Sequence, residues 1–261
     1  MTEVSLRRSG SVELRFGAVL VTATAGAWAL TAGRMGAMNA GPGADLGELG
    51  WFAVSWIVMM AAMMLPALTP MVLAYERQAD RAGSAAMFAA GYFAAWLPAG
   101  LLAYALIEGV RSLGLGFLAW GDAGRYIAAA VIVAAGLYQL TALKGACLRA
   151  CRERATFIAE RWHPGRIGAL RIGLEHGGRC VGCSWALMAA LFALGAMSLT
   201  WMALVTVLVA GERMLPRPAR LGVAAVLVAL GMWVAIAPGA VPGLTVPGSG
   251  SGAMGAAMRT P

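Results

Sequence analysis

The chain has 261 residues, of which 60% are hydrophobic and only 12% are charged, and its formal net charge is +8. An ordinary soluble domain has about 25% charged residues, so the composition excludes that class. The apolar runs are continuous rather than alternating, which excludes a strand barrel. The sequence therefore predicts an all-α, polytopic transmembrane helical bundle, since a helix of about 20 apolar residues crosses a bilayer.

Apolar runs in chain order predict about seven transmembrane spans, and six are possible. The first run follows Arg7, Arg8 and Arg15 and is longer than the apolar part of a signal peptide, so we interpret it as an uncleaved span. The uncharged run 181–211 is long for one span and short for two, and we divide it at Gly195–Ser198. The predicted spans are Leu14–Ala32, Trp51–Tyr75, Ser84–Ile107, Tyr126–Leu143, Val181–Gly195, Met197–Gly211 and Leu221–Ala237.

The basic residues indicate the orientation. Seven spans with a cytoplasmic N-terminus place most of the 20 Lys and Arg residues inside, as the positive-inside rule requires, and six spans place fewer there. We therefore expect a cytoplasmic tail at 1–13 and a transmembrane domain at 14–237 that carries a cytoplasmic Cys/His loop at 144–180. Residues 238–261 are rich in Gly, Pro and Ser and are expected to be a disordered tail.

Two apolar sets within the cytoplasmic loop, separated by Pro164–Gly165, predict two short helices on the membrane surface. The sets are Phe157, Ile158 and Trp162, followed by Ile167, Leu170 and Leu174. Arginines that face lipid phosphates explain the positive charge of the loop. The lipid bilayer is therefore an expected partner, and nucleic acid is not.

All four cysteines lie at the ends of this loop. Cys147 and Cys151 are four residues apart, so they share a face if the fourth span continues as a helix. Cys180 and Cys183 form a CxxC, and we expect the neighbouring glycines to allow a tight turn that brings both thiolates to one ion. Bringing the fourth and fifth spans together would assemble four sulfurs, or fewer sulfurs with His176.

The sequence leaves several hypotheses open for the chemistry of such a cluster. Zinc, cuprous copper and iron–sulfur clusters all accept cysteine ligands, with iron–sulfur the least favoured. A redox dithiol is an alternative, although the βαβ setting of thioredoxin-like motifs is absent. A third hypothesis is that the cysteines are structural and bind no metal. The basic residues Lys144, Arg149, Arg152 and Arg179 are expected to surround the thiols and to favour thiolate.

Sixteen methionines are many for this length. In the second span, Met60 and Met64 are four residues apart. Their thioethers could bind cuprous copper, and filling gaps between packed helices explains them equally well. Met35 with Met38, and Met254 with Met258, lie in predicted outside segments, where packing explains them less readily. This pattern favours copper over zinc.

The carboxylates argue against a proton-coupled transporter, which normally has an ionisable group within the membrane. All twelve are predicted to lie in loops or at span ends. No phosphate-binding loop, nucleophile elbow or HExxH helix is present. We therefore favour a non-enzymatic protein over a hydrolase or ATPase.

Three stretches resemble a bacterial family of predicted metal-binding integral membrane proteins whose function is itself a prediction. They are WIVMMAAMMLPALTP (Trp56–Pro70), YQLTALKGACLRACR (Tyr138–Arg152) and HGGRCVGCSWALM (His176–Met188), within a match from about Trp51 to Trp233. The resemblance implies an inner-membrane protein and a metal role for the four cysteines. The family usually has a cysteine where this chain has Ser184, a poor ligand for a soft metal.

The leading hypothesis is a multi-pass membrane protein that binds a soft metal at its cytoplasmic face and exchanges it with a metal donor or acceptor protein. Its predicted ligands are Cys147, Cys151, Cys180, Cys183, His176, Met60 and Met64. The alternatives are a redox or electron-transfer accessory subunit that uses the CxxC, and a structural assembly factor without metal.

Overall fold

The computed structural model describes residues 3–35, 47–76, 83–113, 123–195, 198–215 and 218–241, and no strand occurs among them. The all-α class predicted from the sequence is therefore confirmed. The helices are α1 (Glu3–Met35), α2 (Leu49–Glu76), α3 (Ser84–Ser112), α4 (Arg125–Tyr138), α5 (Ala142–Arg152), α6 (Arg154–Arg161), α7 (Gly165–Leu194), α8 (Leu199–Met214) and α9 (Ala219–Ile236).

Four of these helices are long and apolar enough to cross a membrane: α2, α3, α7 and α9. A fifth candidate arises if the bent pair α4 and α5 forms one span. The first predicted span, Leu14–Ala32, lies within α1, and the stretch Gly17–Gly33 of that helix is apolar. These lengths are compatible with membrane insertion, and the total of seven spans stays a prediction.

The predicted fourth span, Tyr126–Leu143, is not one continuous helix. Helix α4 covers it up to Tyr138, and α5 begins at Ala142 at an angle of 64° to α4. Between them the backbone N–H groups of Gln139, Leu140 and Thr141 each donate to the carbonyl three residues earlier. The tighter turn ends α4. The Thr141 hydroxyl then accepts the backbone N–H of Lys144 at 3.2 Å, which caps the start of α5.

The long uncharged run 181–211 divides where the sequence predicts. Helix α7 ends at Leu194, and Gly195 has a φ of 103°, a left-handed conformation that glycine adopts at little cost. Helix α8 begins after Ser198, whose N–H donates to the Gly195 carbonyl. Residues 196 and 197 lie outside the described part of the chain.

The two predicted surface helices are only partly observed. A short helix, α6, occurs where the first is predicted, but its Phe157 and Ile158 are buried within the protein, and its position on the membrane surface stays a prediction. The second is not separate, because the chain from Gly165 continues without a break into the predicted fifth span as the 30-residue α7. Near the start of α7, Ile167 is 83% exposed, so this end presents apolar surface outward.

The chain forms two compact units. The first contains α1 up to Gly33, α2, α3 up to Ala105, α5 from Gly145, α6, and α7 up to Cys183. Within it α3 crosses α7 very closely, since a Cβ at Gly91 would meet the Leu170 carbonyl, and one at Gly173 would meet the Phe88 carbonyl. Small residues allow such approach between helix backbones.

The second unit contains the remaining parts of α3, α5 and α7, together with α4, α8 and α9. Helix α4 packs along α9, again through glycines. A Cβ at Gly136 would lie 2.9 Å from Val228, and one at Gly231 would lie 2.7 Å from Val133. A short 3-10 turn, Pro238–Ala240, follows α9, and the rest of the predicted tail, 242–261, is outside the described residues.

Candidate metal centre

All four cysteines lie on two helices of the first unit. Cys147 and Cys151 are on α5, and Cys180 and Cys183 are on α7. The sequence prediction of a tight glycine turn at the CxxC is wrong, because residues 177–183 lie inside α7. The neighbouring Gly177 has another use: a Cβ there would lie 2.5 Å from the Tyr92 carbonyl oxygen of α3.

The structure brings Cys151 and Cys183 together. Their Sγ atoms are 3.8 Å apart, and the two residues are only 7% and 1% exposed. Two sulfurs that bind one ion at about 2.3 Å, with an angle between tetrahedral and trigonal, lie roughly 3.8–4.0 Å apart. The two thiols are within hydrogen-bond distance of each other, and their separation is also close to that of two ligands to a single soft ion.

Cys147 lies beside this pair. A Cβ at Gly182 would be 3.2 Å from Cys147 Sγ, so the thiol of α5 packs against the bare backbone of α7 next to Cys183. Cys147 is partly exposed, whereas the other three cysteines are buried. Over the described residues, no three Cys, His, Asp or Glu side chains are grouped closely enough to hold an ion as they stand.

Cys180 is engaged elsewhere. Its Sγ lies 2.9 Å from the hydroxyl oxygen of Tyr92 on α3, and both residues are fully buried. The backbone carbonyl of Cys180 accepts from the Cys183 thiol at 3.3 Å. Tyr92 was not among the residues selected from the sequence.

His176 is buried among aromatic rings. The ring centroids of Phe88 and Tyr92 are each 6.0 Å from that of His176, and Phe157 of α6 is 5.5 Å away. The imidazole lies four residues before Cys180 on α7, on the face directed at α3 and α6. Its role as a ligand stays a prediction.

The basic residues near the cysteines have specific contacts. The guanidinium carbon of Arg179 lies 4.5 Å from the centre of the Phe157 ring, a cation–π distance. Lys144, expected to support the thiolates, instead donates to Glu212 at 2.6 Å. Their side chains are 0% and 2% exposed, so the pair is buried within the protein. Glu212 lies near the end of α8, and the position of the carboxylates at the ends of membrane spans stays a prediction.

The two predicted thioether ligands are both fully buried. Met60 and Met64 lie on α2 at 0% exposure, ahead of Pro66 in the same helix. Their helical spacing directs the two thioethers to one side of α2. A metal role for them stays a prediction, and Met38, Met254 and Met258 lie outside the described residues.

Comparison with known proteins gives a match to a family model. A family model described as PpoB2, copper chaperone, matches residues 53–236, which include every cysteine and both methionines of the predicted ligand set. A search of curated proteins gave no match, and neither did a search of solved structures.

Proposed function

The chain belongs to the PpoB2 family of copper chaperones, and from this premise we propose that it carries cuprous copper between the thiolates of Cys151 and Cys183. Cys147 is the third ligand of the loaded state. Copper is the cargo, delivered to or received from a partner protein. The 3.8 Å separation of the two buried sulfurs carries the proposal.

The number of sulfurs favours copper over zinc. Structural zinc sites are almost always tetrahedral with four protein ligands, whereas thiolate-rich sites with fewer ligands suit the soft cuprous ion. Two sulfurs are in place and one more is adjacent, which is sufficient for cuprous copper and short of a zinc site. Ser184, in place of the family's usual cysteine, removes another sulfur from this stretch.

A site with few ligands also suits transfer. A chaperone has to bind its ion and still give it up, and a donor atom from a partner can add to an ion with two or three ligands before a protein sulfur leaves. Cys147 is the most exposed of the four cysteines, so a partner's ligand can reach it first, and the exchange begins there. The mechanism is a stepwise replacement of one soft ligand by another.

The membrane setting is part of the proposal. We place the protein in the bacterial inner membrane with seven spans, a cytoplasmic N-terminus, and the cysteines at the cytoplasmic face. The apolar helices α2, α3, α7 and α9 support insertion, and the excess of basic residues in the predicted inside segments supports the orientation. Met60 and Met64 are proposed as soft ligands along α2.

The test is the binding of Cu(I) to detergent-purified protein, measured anaerobically by competition with a chromophoric chelator. Cys151→Ser and Cys183→Ser are each expected to lower the affinity by about 100-fold or more, since metal ligands matter at least as much as the groups around them. Cys147→Ser is expected to have a smaller effect.

Met188→Leu is the matched control, because it removes a buried sulfur from the same helix, five residues beyond Cys183. Unchanged Cu(I) affinity in both pair variants would overturn the proposal. Thiol–disulfide cycling without copper binding would instead support the redox alternative.

A further inference from the structure

We infer that Tyr92 is a positioning residue that determines metal specificity, by holding Cys180 away from the ion and keeping the site short of four sulfurs. This inference rests on the proposed copper site, because it concerns how many cysteine sulfurs bind the ion there. Tyr92 lies on α3, 88 positions from Cys180 in the sequence. Nothing in the sequence links the two.

The close crossing of α3 and α7 is what places the two groups together. Gly173 and Gly177 are four residues apart on α7 and face α3, where a Cβ at Gly177 would also lie 2.7 Å from the Ala95 side chain. Cys180 follows less than one turn later on the same face. The small residues let the backbones approach, so the Tyr92 hydroxyl reaches the Cys180 sulfur.

The hydrogen bond fixes the direction of the Cys180 side chain. A helical cysteine has two common χ1 rotamers, and the 2.9 Å contact with Tyr92 selects the one that points to α3. Cys180 and Cys183 are neighbours on the surface of α7 because they are three residues apart. Without the hydroxyl, the second rotamer becomes available and Cys180 can approach the ion held by Cys183.

A fourth sulfur would change the selectivity. With Cys147, Cys151 and Cys183 the site provides three thiolates, which suits cuprous copper. Adding Cys180 would give a four-thiolate set, the arrangement that zinc prefers. Affinity alone does not separate these ions inside a cell, and geometry and ligand number do. Tyr92 therefore lowers the affinity of the site for zinc, because it keeps the fourth thiolate away from the ion.

The experiment compares wild type, Tyr92→Phe and Tyr92→Phe with Cys180→Ser, in detergent and without oxygen. Zn(II) and Cu(I) affinities are measured by competition, and X-ray absorption counts the sulfur neighbours of each bound ion. Tyr92→Phe is expected to raise the affinity for Zn(II) roughly tenfold or more, the scale of an outer-shell change, and to add one sulfur around zinc.

The double variant separates this role from a merely structural one. Replacing Cys180 as well is expected to return the Zn(II) affinity and the sulfur count to the wild-type values, which a general disturbance of packing would not do. A Tyr92→Phe protein with unchanged zinc binding and sulfur count would overturn the inference. The proposed function would then still stand if wild type binds Cu(I) through Cys151 and Cys183.

If Tyr92→Phe does not fold, Cys180→Ser alone tests whether Cys180 lies outside the ligand set. Cys180 is outside the wild-type ligand set, so its loss is expected to leave the number of sulfurs around Cu(I) unchanged. Loss of one sulfur in this variant would show that Cys180 already binds the ion and would overturn the inference. Absence of Cu(I) binding in wild type would instead refute the copper site itself.

Discussion

Lys144 Nζ lies 2.6 Å from Glu212 Oε2, and this pair joins α5 to α8 across 68 positions of sequence. Both side chains are almost completely removed from solvent. A buried ion pair contributes little to stability compared with apolar residues of the same size, but the loss of either partner leaves a buried charge. The pair therefore constrains which substitutions the second unit tolerates.

Glu212→Gln is expected to lower the free energy of unfolding by about 3–5 kcal/mol, because the Lys144 ammonium loses its counter-charge while staying buried. Thermal unfolding in detergent measures the change. Replacing both residues with apolar ones, as in Lys144→Met with Glu212→Leu, is expected to recover most of the loss. A Glu212→Gln protein as stable as wild type would contradict the burial of this pair.

Two adjacent glycines of α7 give a matched pair of variants. Gly177→Ala places a methyl group 2.5 Å from the Tyr92 carbonyl oxygen, and overpacking of this kind costs about 1–3 kcal/mol. Gly178→Ala meets no atom within 4 Å and is expected to be neutral or to stabilise the helix by up to about 1 kcal/mol. Equal unfolding temperatures for the two variants would contradict the close crossing of α3 and α7.

The proposed orientation is tested by labelling single cysteines in a cysteine-free background. Ile167→Cys near the start of α7 and Leu113→Cys after α3 replace residues that are 83% and 68% exposed. A membrane-impermeant maleimide is expected to label position 113 in intact spheroplasts and position 167 only in inverted vesicles. The reverse pattern would place the cysteine cluster on the outside of the membrane.

Copper binding is expected to stabilise the folded protein. An ion present at a hundredfold its dissociation constant adds about 2.7 kcal/mol if it binds only the folded state. The unfolding temperature should rise with Cu(I) in wild type and in Met188→Leu. It should rise by much less in Cys151→Ser, and an equal rise there would place the ion elsewhere.

The helices follow from the sequence because long apolar runs and their interruptions are local properties. The break at Gly195 was predictable for the same reason. The continuity of α7 through Gly177 and Gly178 was not predictable. Glycine costs about 1 kcal/mol within a helix, and adjacent glycines usually indicate a turn. The spacing of Gly173 and Gly177 by four residues is the pattern that would have indicated a close helix crossing instead.

The candidate site was predictable only in part. The four cysteines stand out because they cluster in the sequence, but their pairing depends on how α5 meets α7. Spacing alone suggested that Cys180 and Cys183 share one ion, with all four sulfurs assembled where two spans meet. The structure instead brings Cys183 to Cys151, 32 positions away. The contacts of Tyr92 with Cys180 and of Lys144 with Glu212 depend on the same long-range packing and have no local signal.

The separation of Cys151 and Cys183 along the chain has a further consequence. Helix α6 and the first half of α7 lie between them, so in the proposed loaded state an ion that joins the two sulfurs would close this segment into a ring. Opening the segment would then also require breaking a metal–sulfur bond. On the proposed function, the segment that carries Phe157 and Arg179 is therefore expected to open less easily with the cargo bound than without it.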